Sequence, residues 1–220
     1  KKHGGKNGTY QFDVEWILHP VDQIGTEGIS ISNEEQMSVH AYVTKHLDVP
    51  SIAYHFSTSD LPGKFDRLAA IADGHDEESI RKIASNTSGT AKYRGPKRQA
   101  LSLLISGDTS SGVPSFLDMK TSIDVLIHES TFDDSLEDKA RSYGHSTARD
   151  AAKIASHMGV NFLGLTHFSS RFQGLSHLQE EARSVFNQSH VLEDGDRISI
   201  NLDGSINLDR KGLQEWISIV

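Results

Sequence analysis

The side chains of this chain best suited to chemistry sit where short apolar runs end. Residues 101–105 are largely apolar and lead into Ser106-Gly107-Asp108-Thr109. Residues 123–127 lead into His128-Glu129, and residues 162–165 into Thr166-His167. Side chains on the rim of a rigid sheet are held with the precision that a metal site demands. A carboxylate such as Asp108 can bridge two divalent ions about 3.5–4 Å apart, the spacing used by hydrolytic two-metal sites. His167 is an imidazole partner for it. Asp108 taken singly reads equally as an Asx-type turn, because aspartate bonds its own backbone there.

Three further residues complete the candidate set. His145, in Gly144-His145-Ser146-Thr147, stands at a predicted helix start. It would lie over a bound anion and pass a proton to a leaving oxygen, or it is a histidine beside an N-cap. Arg171, four residues beyond His167, offers a bidentate clamp for a phosphate or a surface ion pair. His46, at a strand margin, reads from its spacing alone as a turn histidine.

The elements that must position these residues follow from periodicity and turn signals. Strand-like segments occupy residues 10–18, 28–31, 37–44 and 51–56, separated by Gly, Pro, Asn and Asp. Short helices are predicted near 67–72 and 77–84, and 85–90 is turn-like. From residue 101 the pattern becomes regular: strands at 101–105, 123–127 and 162–165, and helices near 134–141, 147–158 and 175–186. Closing strands follow at 191, 198–201 and 206–208. The helix from Thr147 carries a capping pair, Thr147 and Asp150, and stops at Gly159. Buried strands alternating with helices predict a layered α/β fold in one domain over residues 1–220.

Composition narrows the chemistry. Of 220 residues, 12 are histidine and none is cysteine, so imidazole is the soft metal ligand on offer and thiolate sites are excluded. No apolar run approaches the length of a membrane span, and the lysine-rich start does not read as a signal peptide. The formal net charge is −8, whereas a protein gripping nucleic acid by charge alone carries a basic surplus. A small substrate, a local basic patch, bound metal or a region outside this chain would reconcile the two. Residues 92–98 form the one compact basic patch and read as a solvated lead-in to a strand rather than a phosphate-binding surface.

Four segments in order resemble the C-terminal motifs of ribonuclease Z, the tRNA 3′-processing endonuclease of the metallo-β-lactamase superfamily. They are Ser106-Gly107-Asp108-Thr109, Leu126-Ile127-His128-Glu129-Ser130-Thr131-Phe132, Gly144-His145-Ser146-Thr147, and residues 165–172 around His167. The region after His46 is similar to the family's middle histidine region, and the resemblance covers roughly residues 37–210. It implies an αββα sandwich and two zinc ions, bridged by Asp108, with His46 on one and His167 on the other. It also implies His145 as the group that assists cleavage, precursor tRNA as partner, and a homodimer or a complementing N-terminal half; Arg171, from its own position, is the candidate for holding substrate. His128, inside the second motif, is expected to orient a ligand rather than to be one.

The family's principal metal motif, His-x-His-x-Asp-His, does not occur in this chain. The N-terminal half of the fold is therefore expected to be missing, and the active site to be completed by residues outside the chain. A cytoplasmic enzyme is the first expectation. A phosphodiesterase of the same fold acting on another substrate, and a non-catalytic partner subunit, are the alternatives.

Overall fold

The computed structural model describes residues 18–33, 37–86, 91–98, 100–112, 115–201, 203–212 and 215–220. Of the predicted strand at 10–18 and turn at 85–90, residues 10–17 and 87–90 lie outside these. Strands β1 (Ile29–Asn33), β2 (Met37–His46) and β3 (Val49–Thr58) form an antiparallel meander. In the β2–β3 hairpin His46 faces Val49 across Leu47 and Asp48, with Leu47 at φ +49°. Both strands are longer than predicted, because cross-strand pairing carries the ladder to the very tip of the hairpin.

Helices α1 (Arg67–Ala72) and α2 (Glu77–Ser85) follow, each started by an aspartate cap, Asp66 and Asp76. They belong to an excursion between β3 and the next strand, closed by bridges between Leu61 and Arg98 and between Phe65 and Arg94. Ala70, Ile80 and Tyr93 give it a small core of its own. The basic patch here is structural rather than merely solvated. Arg94 donates to the carbonyls of Gly63 and Ala84, Arg98 to that of Pro62, and Lys92 pairs with Asp73.

β4 (Ser102–Ile105) pairs antiparallel with β3. β5 (Val125–Glu129), β6 (Phe162–Thr166) and β7 (Ser189–Val191) then add in parallel, giving a seven-stranded sheet in sequential order. Parallel strands are covered on both faces, which is why β5 and β6 read as continuous apolar runs. Between them lie α3 (Glu137–Tyr143), preceded by a 3-10 turn over Asp134–Leu136, and α4 (Ala148–Met158). α5 (Ser176–Arg183) connects β6 to β7.

One face of the sheet packs Leu104, Leu126, Leu163 and Leu165 against Ala148, Ala151, Ala152 and Ala155 of α4 and Leu178 and Ala182 of α5. The alanine face lets α4 approach closely. Its start is the predicted capping box, Thr147 with Asp150, and its end is Gly159 in the left-handed region. The other face, through Val125 and Phe162, packs on a second antiparallel sheet of β8 (Arg197–Ile200), β9 (Ile206–Lys211) and β10 (Trp216–Ser218). β10 was not legible as a strand, being short and exposed on the sheet edge. The described layers are thus helix, sheet, sheet, the α/β class expected. Among the described residues no helix is long and apolar enough to cross a membrane.

Candidate metal centre

The C-terminal ends of β4, β5 and β6 lie side by side, and the loops leaving them build one cluster. The Asp108 loop turns at Gly107, φ +62°, where a Cβ would stand 2.6 Å from the Ile52 carbonyl oxygen. Only glycine fits that turn. Past the turn, Thr44 Oγ1 donates to the Asp108 carbonyl (3.3 Å) and the Ser110 amide to the Lys45 carbonyl (2.7 Å). His167 follows β6 directly at φ +57°, a left-handed conformation in which a non-glycine residue is uncommon and worth explaining. The Ser169 amide bonds to the Thr131 carbonyl and holds the chain after it. Gly144, φ +74°, closes α3 and delivers His145 beside the hairpin tip.

These placements bring Asp108, His145 and His167 together, with one ligand atom of each within 4.8 Å of the others. Asp108 Oδ1 lies 3.5 Å from His167 Nε2, and the His145 and His167 ring centroids are 5.3 Å apart. His46 is outside that trio but adjacent to it, its ring 4.6 Å from that of His145.

The hydrogen bonds behind the cluster settle the tautomers. Thr131 Oγ1 gives its single proton to Glu129 Oε2 (2.7 Å), so His167 Nδ1, 2.8 Å from the same hydroxyl, must be the donor to it. His145 Nδ1 donates to Glu129 Oε1 (2.8 Å), and His46 Nδ1 to the Gly144 carbonyl (2.9 Å). Each imidazole therefore keeps Nε2 unprotonated in its neutral form and available to a cation. One carboxylate, Glu129, orients both rings, directly for His145 and through Thr131 for His167. Its side chain is 1% exposed, whereas those of Asp108 and His167 are 39% and 49% exposed. The donors are reachable and the residue that holds them is not.

Electrostatics follow from this arrangement. Burial opposes ionisation of Glu129, but bonds from His145, Thr131 and the Thr109 amide outweigh it and hold the carboxyl below its ordinary range. The bond to Glu129 raises the pKa of His145 against its partial burial, with the charges of Glu129 and Asp108 adding to the effect. Burial lowers that of His128.

His128, expected to orient a ligand, lies fully buried with Nδ1 donating to the Glu129 carbonyl (2.7 Å) and its ring edge-on to Phe116. None of its described bonds reaches the cluster; orientation falls to Glu129. Neighbours along a strand face opposite ways, and nothing in His128-Glu129 announces which of the two faces the rim. Arg171 is exposed, its guanidinium 5.0 Å over the ring of Phe132, which itself lies 6.2 Å from His145. Its Nε donates to Ser169 Oγ (2.7 Å), leaving the outer nitrogens at the margin of the cluster.

A carboxylate with imidazoles is a donor set that suits zinc. Asp108 and His167 with one neighbouring imidazole, His145 or His46, make the three donors that match one catalytic ion with an open position. A second ion would need more donors than these.

No protein-family model matches the chain. Curated proteins do. It is 31% identical over 192 residues to ribonuclease BN of Enterobacter sp. strain 638, a match covering 81% of this chain and 62% of that protein. It is 32% identical over 186 residues to ribonuclease Z of Gemmatimonas aurantiaca, covering 80% and 59%. With ribonuclease Z of Picrophilus torridus it shares 31% identity over 222 residues, covering 93% and 69%. The chain spans about three fifths of the length of the first two. Among solved structures, the metallo-β-lactamase fold protein YhfI from Bacillus subtilis aligns with a TM-score of 0.53 at 20% identity, over 85% of this chain and 57% of that one. That likeness is one of fold.

Proposed function

Because the chain belongs to the ribonuclease Z family of the metallo-β-lactamase superfamily, we propose that it carries part of a zinc-dependent phosphodiesterase site that matures the 3′ ends of tRNA. The remaining donors are supplied by residues outside this chain. The observation that carries this reading is the convergence of Asp108, His145 and His167 at the ends of neighbouring elements. Asp108, His167 and His46 would hold the metal. Zinc bound there supplies Lewis-acid stabilisation of charge developing on the phosphoryl oxygens.

The chain's own groups do the rest. Glu129 fixes the His145 ring through Nδ1, so Nε2 is the atom that carries a proton to the leaving oxygen. Thr131 fixes the His167 ring in the same way. Arg171, anchored on Phe132 and Ser169, holds a non-bridging phosphate oxygen. Precursor tRNA is the partner, met in the cytoplasm by a homodimer.

Cleavage of a precursor tRNA tests the reading, using protein that includes the upstream region and an Asp108→Asn variant. Product ending at the tRNA 3′ boundary, lost in the variant, is the expected result. Hydrolysis of a generic phosphodiester without tRNA cleavage would replace the tRNA reading with a small-substrate phosphodiesterase, which the net charge of −8 favours. Hydrolysis of neither substrate would sink the enzymatic reading and leave a non-catalytic subunit.

A further inference from the structure

A cavity of about 490 Å³ opens beside the donor cluster. Its lining includes Lys45, Ser110, Ser111, Arg141 and Gly144. Three of these are close chain neighbours of cluster residues: Lys45 precedes His46, Ser110 follows Asp108 by two, and Gly144 precedes His145. The Gly144 carbonyl accepts from His46 Nδ1 and the Ser110 amide bonds the Lys45 carbonyl, so the cavity adjoins the loops that carry the cluster.

The lining has the chemistry of an anion site. Lys45 is exposed and forms no salt bridge with any described residue. Arg141 pairs with Glu137 one turn away on α3, with side chains 63% and 39% exposed. An exposed pair of that kind is weak, so the guanidinium is free to exchange its partner. Ser110 and Ser111 line it as well, and among the described residues no carboxylate does. On a chain of net charge −8, two cations facing one cavity next to a metal-type cluster are a local reversal of sign.

We infer that this cavity binds the backbone phosphate next to the scissile one, with Lys45 and Arg141 neutralising it and the serine hydroxyls donating to it. The inference rests on the nuclease reading of the neighbouring cluster and adds to it a subsite for a chain of at least two phosphates. Such a subsite also resolves the charge paradox, since an acidic protein needs its cations only where the backbone passes.

The test measures binding of a short single-stranded RNA to the full-length, metal-loaded protein by fluorescence anisotropy across a range of salt. Lys45→Gln and Arg141→Gln are each expected to weaken binding at low salt. Each should also make the slope of log K against log salt shallower by about 0.7, the loss of one phosphate contact on a single strand. Lys45→Arg is expected to keep the slope. Hydrolysis of a diester with a single phosphate is expected to be unchanged in all three, because that substrate has no adjoining phosphate. Both side chains are exposed, so the variants retain the fold. Slopes equal to that of the unsubstituted protein would overturn the inference. So would an equal loss of hydrolysis of the single-phosphate diester, which would put the two cations on the reacting group instead. An unsubstituted protein that binds the RNA yet hydrolyses neither substrate refutes the nuclease reading, while the slopes still decide the phosphate site.

Discussion

Glu129 is the residue on which the cluster turns. It is buried, accepts from Thr109, Thr131 and His145, and reaches His167 through the Thr131 hydroxyl. Thr131→Val removes the link to His167 and leaves the bond to His145 intact. Zinc affinity, measured by competition with a chelator, is expected to fall about 10–100-fold, the range seen when an orienting partner of a metal ligand is lost. An unchanged affinity would mean that the hydroxyl does not position the ring. A different histidine contributes to the pH dependence of stability. His190 is buried, stacked on Phe162 and beside Arg183, and burial first, then the Arg183 charge, lower its pKa to about 4. Between that value and the unfolded value near 6.5 the unfolded chain binds the extra proton, so stability rises with pH across this window and is lost as pH falls through it. His190→Gln keeps an acceptor for Arg183 but does not titrate. Urea unfolding should show the difference in stability between pH 6.5 and 4.5 reduced by about 2 kcal/mol in the variant. His128, also buried and held neutral, keeps its own share of the slope.

At the scale of elements, the helix and strand ends set the geometry. Gly144 and Gly159 both end helices in the left-handed region, at φ +74° and +65°. An alanine Cβ at Gly159 meets nothing within 4 Å, whereas at Gly144 it would stand 2.8 Å from the Leu47 nitrogen at the hairpin tip. Gly159→Ala is therefore expected to cost about 1–2 kcal/mol, the left-handed penalty alone. Gly144→Ala should cost more than that and also weaken metal binding, because Leu47 and His46 must move. Equal costs in urea titrations would show that the hairpin does not pack where it is placed. Most of these elements were legible beforehand: the α4 capping box and stop, the end of β4 at Ile105, and the two short helices near 67–72 and 77–84. β5 and β6, by contrast, run on past the predicted ends at 127 and 165 to Glu129 and Thr166. The helix predicted over 134–141 was harder to place, since its first turn is 3-10 and its α-helical part runs on to Tyr143. Local pattern does not distinguish those two hydrogen-bond ladders over so few residues.

For the whole molecule, the number of donors is the decisive quantity. With His145 kept for the proton, Asp108, His167 and the adjacent His46 would suffice for one ion and not for two. This chain produced alone and dialysed against zinc is expected to hold fewer than two tightly bound ions, by elemental analysis against protein concentration. Two would show that the site needs nothing from outside. The sheet architecture gives the donors a packed base: the helical layer and the second sheet bury both faces of β5 and β6, and the donors stand at their rim.

By itself the sequence determined the class of donors, their placement at strand ends and the resemblance to a family, because apolar runs, turn residues and motif order are local properties. Only the tertiary structure decided which donors meet. It set His145 against Asp108 and His167 across residues far apart in the chain, kept His46 one ring away, and turned Glu129 rather than His128 toward the rim. The physical reason is the same in each case. A strand sends successive side chains to opposite faces, and a hydrogen bond through Thr131 or to the Gly144 carbonyl exists only once distant loops are packed together.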